Sequence, residues 1–264
     1  MRYSRAIKAP TLGAFLFALT LPAWAACPLP SYLTQARVTH VVDGDTLRLS
    51  DGQRVRLIGI NAPEVAHPGQ SAQPYGETAK RRMGQLVDAS DGRVKLAIGN
   101  PSHDHYGRLL AHIYDDQGRS LEEILLREGL AYRVVVAPDP KLRSCLEDAE
   151  QQARSQHLGL WAKARVLSLQ QISEGGFALV QGRVQKAERN GGGVWLEMDG
   201  PLVLHVPRKA VSRFNQTLGA GWQQRLVGQP LEARGWIVDR ARHGKGRARW
   251  MLPINDPSML TPSR

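Results

Sequence analysis

Apolar and polar side chains alternate with a period of two on both sides of Asp43-Gly44, with Val41 before the pair and Leu47 and Leu49 after it. That alternation predicts a strand, a tight turn and a second strand, because successive strand side chains point to opposite faces. Residues 55–60 continue as a third strand and stop ahead of Pro63, which has no N–H to give to a ladder. Residues 75–88 are predicted as a helix, and 94–98 and 109–114 as strands. Ser120 with Glu123 makes a capping box that opens a second helix, and Gly129 ends it. A third helix opens at Asp139-Pro140, and Leu142, Leu146, Ala149 and Ala153 recur along it at helical spacing until Gly159. The sum is a small β-barrel carrying three helices, an α+β arrangement, over residues 27–164.

Residues 165–176 are expected as a linker, and from Phe177 a second set of strands begins. These cover 177–184, 194–198, 202–206, 231–238 and 248–252, with 208–218 as a helix between the third and the fourth. Five strands with a helix at that place describe an OB-like barrel. The expectation is therefore a second, small all-β domain over 177–255.

The first 26 residues stand apart from both. Arg2, Arg5 and Lys8 make a basic start, residues 12–21 are largely apolar, and Ala23-Trp24-Ala25 supplies a small-residue cleavage site. This is the pattern of a signal peptide over 1–25, too short in its apolar part to span a bilayer. The mature chain is thus expected to be exported, to the periplasm or beyond. Cys27 follows two alanines, as a lipidated cysteine does, but Trp24 stands where such a signal carries a branched aliphatic residue. Exported compartments are oxidising, so Cys27 and Cys145, the two cysteines of the chain, are expected to form a disulfide.

Charge changes the picture of the second half. The chain carries a formal net charge of +11, yet from 27 to 163 seventeen Lys and Arg balance seventeen Asp and Glu, whereas from 165 onward fifteen face seven. In that basic portion Trp195, Trp236 and Trp250 interleave with Arg234, Lys245, Arg247 and Arg249. Such a mixture can stack bases and track phosphates of a single nucleic-acid strand. It serves equally well as barrel-end packing with a solvated basic surface.

The chemistry concentrates in three short motifs: Asp43-Gly44-Asp45-Thr46, then Arg56 with Asn61-Ala62-Pro63-Glu64, then Asp104-His105-Tyr106-Gly107-Arg108. They supply hard oxygen donors, a spare carboxylate and two guanidinium groups, an inventory suited to binding a metal and cleaving a phosphodiester. Zinc does not suit the cluster His103, Asp104 and His105, which is crowded on one loop with no cysteine or further histidine nearby.

In order and spacing these motifs resemble the staphylococcal nuclease (thermonuclease) family over residues 34–161, about half the chain. The resemblance implies an OB-fold barrel with helices, a Ca²⁺ cofactor, and DNA or RNA as substrate. It implies Asp45, Asn61 and the carbonyl of Ala62 as calcium ligands, with Asp43 and Thr46 supporting them. It implies Glu64 as the general base toward water, Arg56 and Arg108 as stabilisers of the transition state, and His105 and Tyr106 as substrate contacts. Three positions depart from the family pattern. Asn61 replaces an aspartate, which removes one negative charge and predicts weaker calcium binding; His105 replaces a lysine; and Val135 replaces a second stacking tyrosine. The polar, breaker-rich loop 65–74 is expected to gate substrate. Two other readings stay open: a catalytically weakened nucleic-acid-binding module, if Asn61 abolishes metal binding, and an envelope scaffold, if neither half binds nucleic acid.

Overall fold

The structure is a computed structural model that describes residues 27–135, 142–241 and 248–262. The expected signal peptide, the helix start at Asp139-Pro140, and Lys245 and Arg247 lie outside the described residues.

The first unit contains β1 (Thr34–Val41), β2 (Thr46–Leu49), β3 (Arg54–Leu57), β4 (Ile60–Asn61), α1 (Gly76–Asp88), β5 (Arg93–His103), β6 (Leu109–Tyr114), α2 (Leu121–Arg127), β7 (Tyr132–Arg133) and α3 (Arg143–Ser155). Five of the strands close a barrel in the order β1-β2-β3-β6-β5, antiparallel except where β3 runs beside β6. Leu47, Val55, Leu57, Leu96 and Ile113 fill it, and Ala79 and Met83 of α1 and Leu125 and Leu126 of α2 pack against them. Burial of each such aliphatic side chain contributes about 1.5–3 kcal/mol. The strand at β5 runs five residues past its expected end at 98, because its register shifts between Ile98 and His103 and His103 then pairs with Leu109.

Only half of the expected capping box forms. Ser120 Oγ accepts the Glu123 N–H at 3.2 Å. The Glu123 carboxylate, however, accepts the Cys27 N–H at 2.8 Å and an Arg127 N–H at 2.5 Å. It thus ties the start of the described chain to α2. The Cys27–Cys145 disulfide adds a second tie, to α3, with Cα atoms 5.3 Å apart.

The second unit begins within the expected linker. Val166–Ser168 form β8, which runs parallel to β9 (Gly176–Asn190), and Leu169 is buried in the second core. Apolar side chains at 167, 169 and 172 pack into that core, which is why this stretch folds with the barrel instead of forming a bare connection. Next come β10 (Gly193–Met198), β11 (Leu202–Pro207), α4 (Arg208–Leu218), α5 (Trp222–Arg225), β12 (Pro230–Asp239) and β13 (Trp250–Pro253). Because β12 pairs with both β13 and β9, these five strands close a second OB-like barrel. Phe214 of α4 and Trp222 of α5 are buried against it. A last strand, β14 (Leu260–Pro262), extends the sheet beyond 255 along β12.

Aromatic, apolar and charged contacts join the two barrels. The Tyr132 ring lies 5.4 Å from Trp161 and 5.3 Å from Phe177, and Ala153, Trp161 and Leu179 form a small buried cluster. Ion pairs cross from α3 to the second unit at Glu150–Arg234, Arg154–Glu232 (3.0 Å) and Arg143–Asp256 (2.5 Å). Among the described residues no helix is long and apolar enough to cross a membrane.

Candidate functional site

The site starts at the turn between β1 and β2. Asp43 Oδ1 accepts the Asp45 N–H at 2.8 Å, a turn that an Asp side chain closes on its own backbone. Gly44 lets this turn approach the rest of the site. A Cβ there would lie 2.6 Å from the Ala62 Cβ and 2.7 Å from the Ala79 Cβ. The close approach brings Asp45 to β4, where Asp45 Oδ2 accepts the Ala62 N–H at 2.6 Å. Thr46 Oγ1 donates to the other oxygen, Oδ1, at 3.1 Å.

Arg56, on β3, reaches into the same spot. Its Nη1 donates to the carbonyls of Leu57 (2.7 Å) and Ile60 (2.8 Å). Its Nη2 donates to Asn61 Oδ1 at 3.0 Å and sits 3.1 Å from Asp45 Oδ2. One guanidinium nitrogen therefore bridges the two expected side-chain ligands, all three groups being buried. Burial pushes the Asp45 carboxyl up to about 6; Arg56 opposes the rise, Asp43 adds to it, and the Ala62 N–H opposes it. An ionised carboxylate in such a place is short of positive charge.

The donor set fits a hard divalent cation. Asp45, the Asn61 amide oxygen and the Ala62 carbonyl are all oxygen donors of the type calcium takes, and the desolvated Asp45 gains most from a bound cation. The Asn61 amide and the Ala62 carbonyl are neutral donors, so Asp45 is the one charged donor of this expected set.

Two residues past Ala62 the chain reaches solvent at Glu64. The residue is exposed, and its carboxylate has no hydrogen-bonded or ionic partner among the described residues. Its backbone is fixed by Gln73, which accepts the Glu64 N–H on Oε1 (3.1 Å) and returns its own N–H to the Glu64 carbonyl (2.9 Å). Gly76 lies so close to that carbonyl that any Cβ would collide with it. The loop between them is pinned at His67 and Gln70, whose backbone groups pair in both directions. Sequence reasoning missed Gln73, because a lone glutamine in a polar loop carries no pattern.

Arg108 stands at the head of β6, where Leu109 pairs with Val55 and Leu110 with Arg56. Asp104 holds it through its N–H (2.9 Å) and its Nε (2.7 Å), and also accepts the Tyr106 N–H (2.9 Å). Burial acts to raise the Asp104 carboxyl, but these hydrogen bonds outweigh it and keep the group below its ordinary value. Neither Nη of Arg108 has a partner among the described residues, so its terminal fork is available to an anion. Tyr106 is 65% exposed; the His105 ring lies 3.8 Å from it and the Arg108 guanidinium carbon 5.4 Å.

Part of the expected single-strand face on the second barrel is enclosed. Arg234 is a correction: it is buried, with Nη1 at 2.7 and 2.6 Å from the two oxygens of Glu150. A guanidinium enclosed with a carboxylate is not available to phosphate. Trp236 pairs in register with Phe177 at one end of β9, while Trp195 pairs with Glu188 near the other end. Trp250 is buried, and Arg249 pairs with Asp239 at 3.0 Å.

Comparison with known proteins finds matches over the first unit. A family profile described as "Staphylococcal nuclease homologue" matches residues 54–163. The chain is 37% identical over 135 residues to the SPbeta prophage-derived endonuclease YokF of Bacillus subtilis (strain 168), covering 50% of this chain and 45% of that protein. It is 36% identical over 136 residues to the endonuclease YncB of the same strain, covering 50% of this chain and 64% of that protein. With the thermonuclease of Staphylococcus intermedius it shares 35% identity over 130 residues, 48% of this chain and 75% of that protein. The chain thus spans about half to two thirds of the two Bacillus relatives and three quarters of the staphylococcal one. At that identity and coverage the chain belongs to the staphylococcal nuclease family.

Proposed function

We propose that this chain is an exported nuclease that hydrolyses phosphodiester bonds of DNA or RNA with Ca²⁺ as cofactor and water as nucleophile. The observation that carries the proposal is the convergence of Asp45, Arg56, Asn61 and the Ala62 N–H on one buried point, two positions before the exposed Glu64. Asp45, Asn61 and the Ala62 carbonyl hold the cation, and Asp43 and Thr46 orient Asp45 through the 2.8 and 3.1 Å contacts. When bound, the cation supplies charge that offsets the developing negative charge on phosphate.

Glu64 takes the proton from the attacking water; Pro63 and Gln73 hold its backbone while its carboxylate stays in solvent. Arg56 and Arg108 supply permanent positive charge to the transition state. They cannot serve as proton donors at ordinary pH, so water protonates the leaving oxygen. Tyr106 and His105 flank Arg108 at the surface and contact the substrate. Following its family, the enzyme leaves 3′-phosphate products. The Cys27–Cys145 disulfide supports an oxidising compartment, and with it export to the periplasm or the medium.

One observation favours a second reading, a weakened nucleic-acid-binding module: Arg56 already engages the amide oxygen of Asn61 and the carboxylate of Asp45. A degradation assay on plasmid DNA and on RNA, with and without calcium, separates the two. The nuclease reading expects calcium-dependent degradation that Glu64→Ala and Arg108→Ala abolish. Binding of nucleic acid without degradation would favour the module, and activity indifferent to both substitutions would overturn the residue roles.

A further inference from the structure

The strand that carries the candidate ligands is short and has a single ladder partner. β4 comprises Ile60 and Asn61, and it pairs with β7, Ile60 opposite Arg133 and Asn61 opposite Tyr132. Beside the Arg56–Asn61 and Asp45–Ala62 contacts, the placement of Asn61 and Ala62 depends on where β7 is held. β7 in turn is held from outside the first barrel. The Arg133 N–H donates to Glu150 Oε1 at 2.7 Å, and Glu150, on α3, faces Arg234 of β12 at 2.7 and 2.6 Å. Glu150 is 4% exposed and Arg234 5%, so water replaces neither partner cheaply. The Tyr132 ring adds an apolar contact to Phe177 of the second barrel.

We propose, on the reading given under Proposed function, that Arg234 is a positioning residue for the cation site. By neutralising and fixing Glu150 it holds β7, and β7 holds Asn61 and Ala62 on β4. The second barrel is then a structural part of the site, contributed by an element 171 positions beyond Pro63 in a chain whose family resemblance ends near residue 163. Its attachment does not rest on Arg234 alone, since Arg143–Asp256 and Arg154–Glu232 cross the same seam. Removing Arg234 therefore perturbs β7 without separating the barrels.

The test uses the full chain with Arg234→Met, the double variant Glu150→Gln/Arg234→Met, and Arg154→Met as a control that breaks a seam pair while leaving Glu150 and its partners in place. Calcium affinity is read by calorimetry, amide exchange is followed at residues 61, 133 and 134, and kcat and KM are measured on a DNA oligomer. Arg234→Met is expected to speed exchange at those amides about tenfold. It is expected to weaken calcium binding about fivefold and lower kcat about tenfold or more, with KM little changed. The double variant regains most of the loss, because a neutral amide still accepts the Arg133 N–H and no carboxylate is left buried without Arg234, while Arg133 keeps Glu147 at 3.9 Å. Arg154→Met leaves all readouts near wild type. Should Arg234→Met not fold, Arg234→Lys replaces it, with the same direction expected in each readout. Wild-type exchange, calcium affinity and kcat in the Arg234 variant overturn the proposal. A raised KM with a flattened salt dependence and unchanged kcat overturns it also, by making Arg234 a substrate contact. If the wild-type chain hydrolyses nothing, the nuclease reading fails, while exchange and calcium affinity still decide the role of Arg234.

Discussion

Replacing Asp45 by asparagine removes a charge that the metal-free fold holds at a disadvantage. The carboxyl titrates near 6 in the fold against an ordinary value of 3.8, chiefly because it is buried, with Asp43 beside it and Arg56 only partly compensating. Each unit of such a shift corresponds to about 1.4 kcal/mol, so the ionised group disfavours the fold by about 3 kcal/mol at neutral pH. The sign follows from the direction of the shift. Below pH 3.8 the group is protonated in both folded and unfolded chains and contributes nothing; between 3.8 and 6 the unfolded chain ionises first; above 6 the full penalty is present. Asparagine keeps one oxygen to accept the Ala62 N–H but gives up one oxygen as an acceptor, which offsets part of the gain. The expectation is a stabilisation of about 2 kcal/mol at pH 7.5 that shrinks toward zero by pH 4, together with loss of calcium binding. Urea unfolding in EDTA at both pH values, with wild type alongside, measures it. A variant no more stable than wild type at pH 7.5, or a gain of equal size at both pH values, refutes the reasoning.

Asn61→Asp restores the negative charge that the family pattern carries at this position, and calorimetry should show calcium binding tighter by about tenfold. Gly44→Ala places a methyl 2.6 Å from the Ala62 Cβ and 2.7 Å from the Ala79 Cβ, so chemical denaturation should show a loss of about 1–3 kcal/mol and the turn should move Asp45 off its Ala62 contact. Glu64→Gln leaves the melting temperature near wild type, since the carboxylate is exposed, and lowers kcat by about 10²–10⁴. Cys27→Ser with Cys145→Ser opens a link spanning 118 positions, and denaturation under non-reducing conditions should show a loss of about 3–5 kcal/mol.

Where local patterning and tertiary packing agree, the fold is legible in the chain. Leu47 and Leu49 point inward on β2 as their alternation requires, and residues 208–218 form α4 because Ala210, Val211 and Phe214 share a buried face. The acidic turn announced itself because Asp43 closes it locally and Gly44 permits the approach. Other features depend on partners that no window of sequence contains. Glu123 has the spacing of a capping box, yet its carboxylate turns to Cys27, 96 positions away. Residues 99–103 carry no inward alternation, and they are strand because β6 is there to pair with.

Arg234 shows the limit most clearly. In a basic barrel, an arginine alternating with small and aromatic residues has the composition of a phosphate-tracking surface. Three successive residues of β12 are nevertheless buried, Ala233, Arg234 and Gly235, because the first barrel packs on that strand and presents Glu150, 84 positions earlier in the chain, at hydrogen-bond distance. Charge type and spacing give the chemistry a side chain can perform, whereas the identity of its partner decides whether that chemistry faces solvent. Net charge on the second half thus does not say which of its basic side chains face solvent. Arg143, Arg213 and Asp256, Arg154 and Glu232, and Arg234 and Glu150 account for four arginines committed within or beside the seam. Fixed in that way, Arg234 bears on catalysis only through the strand it holds.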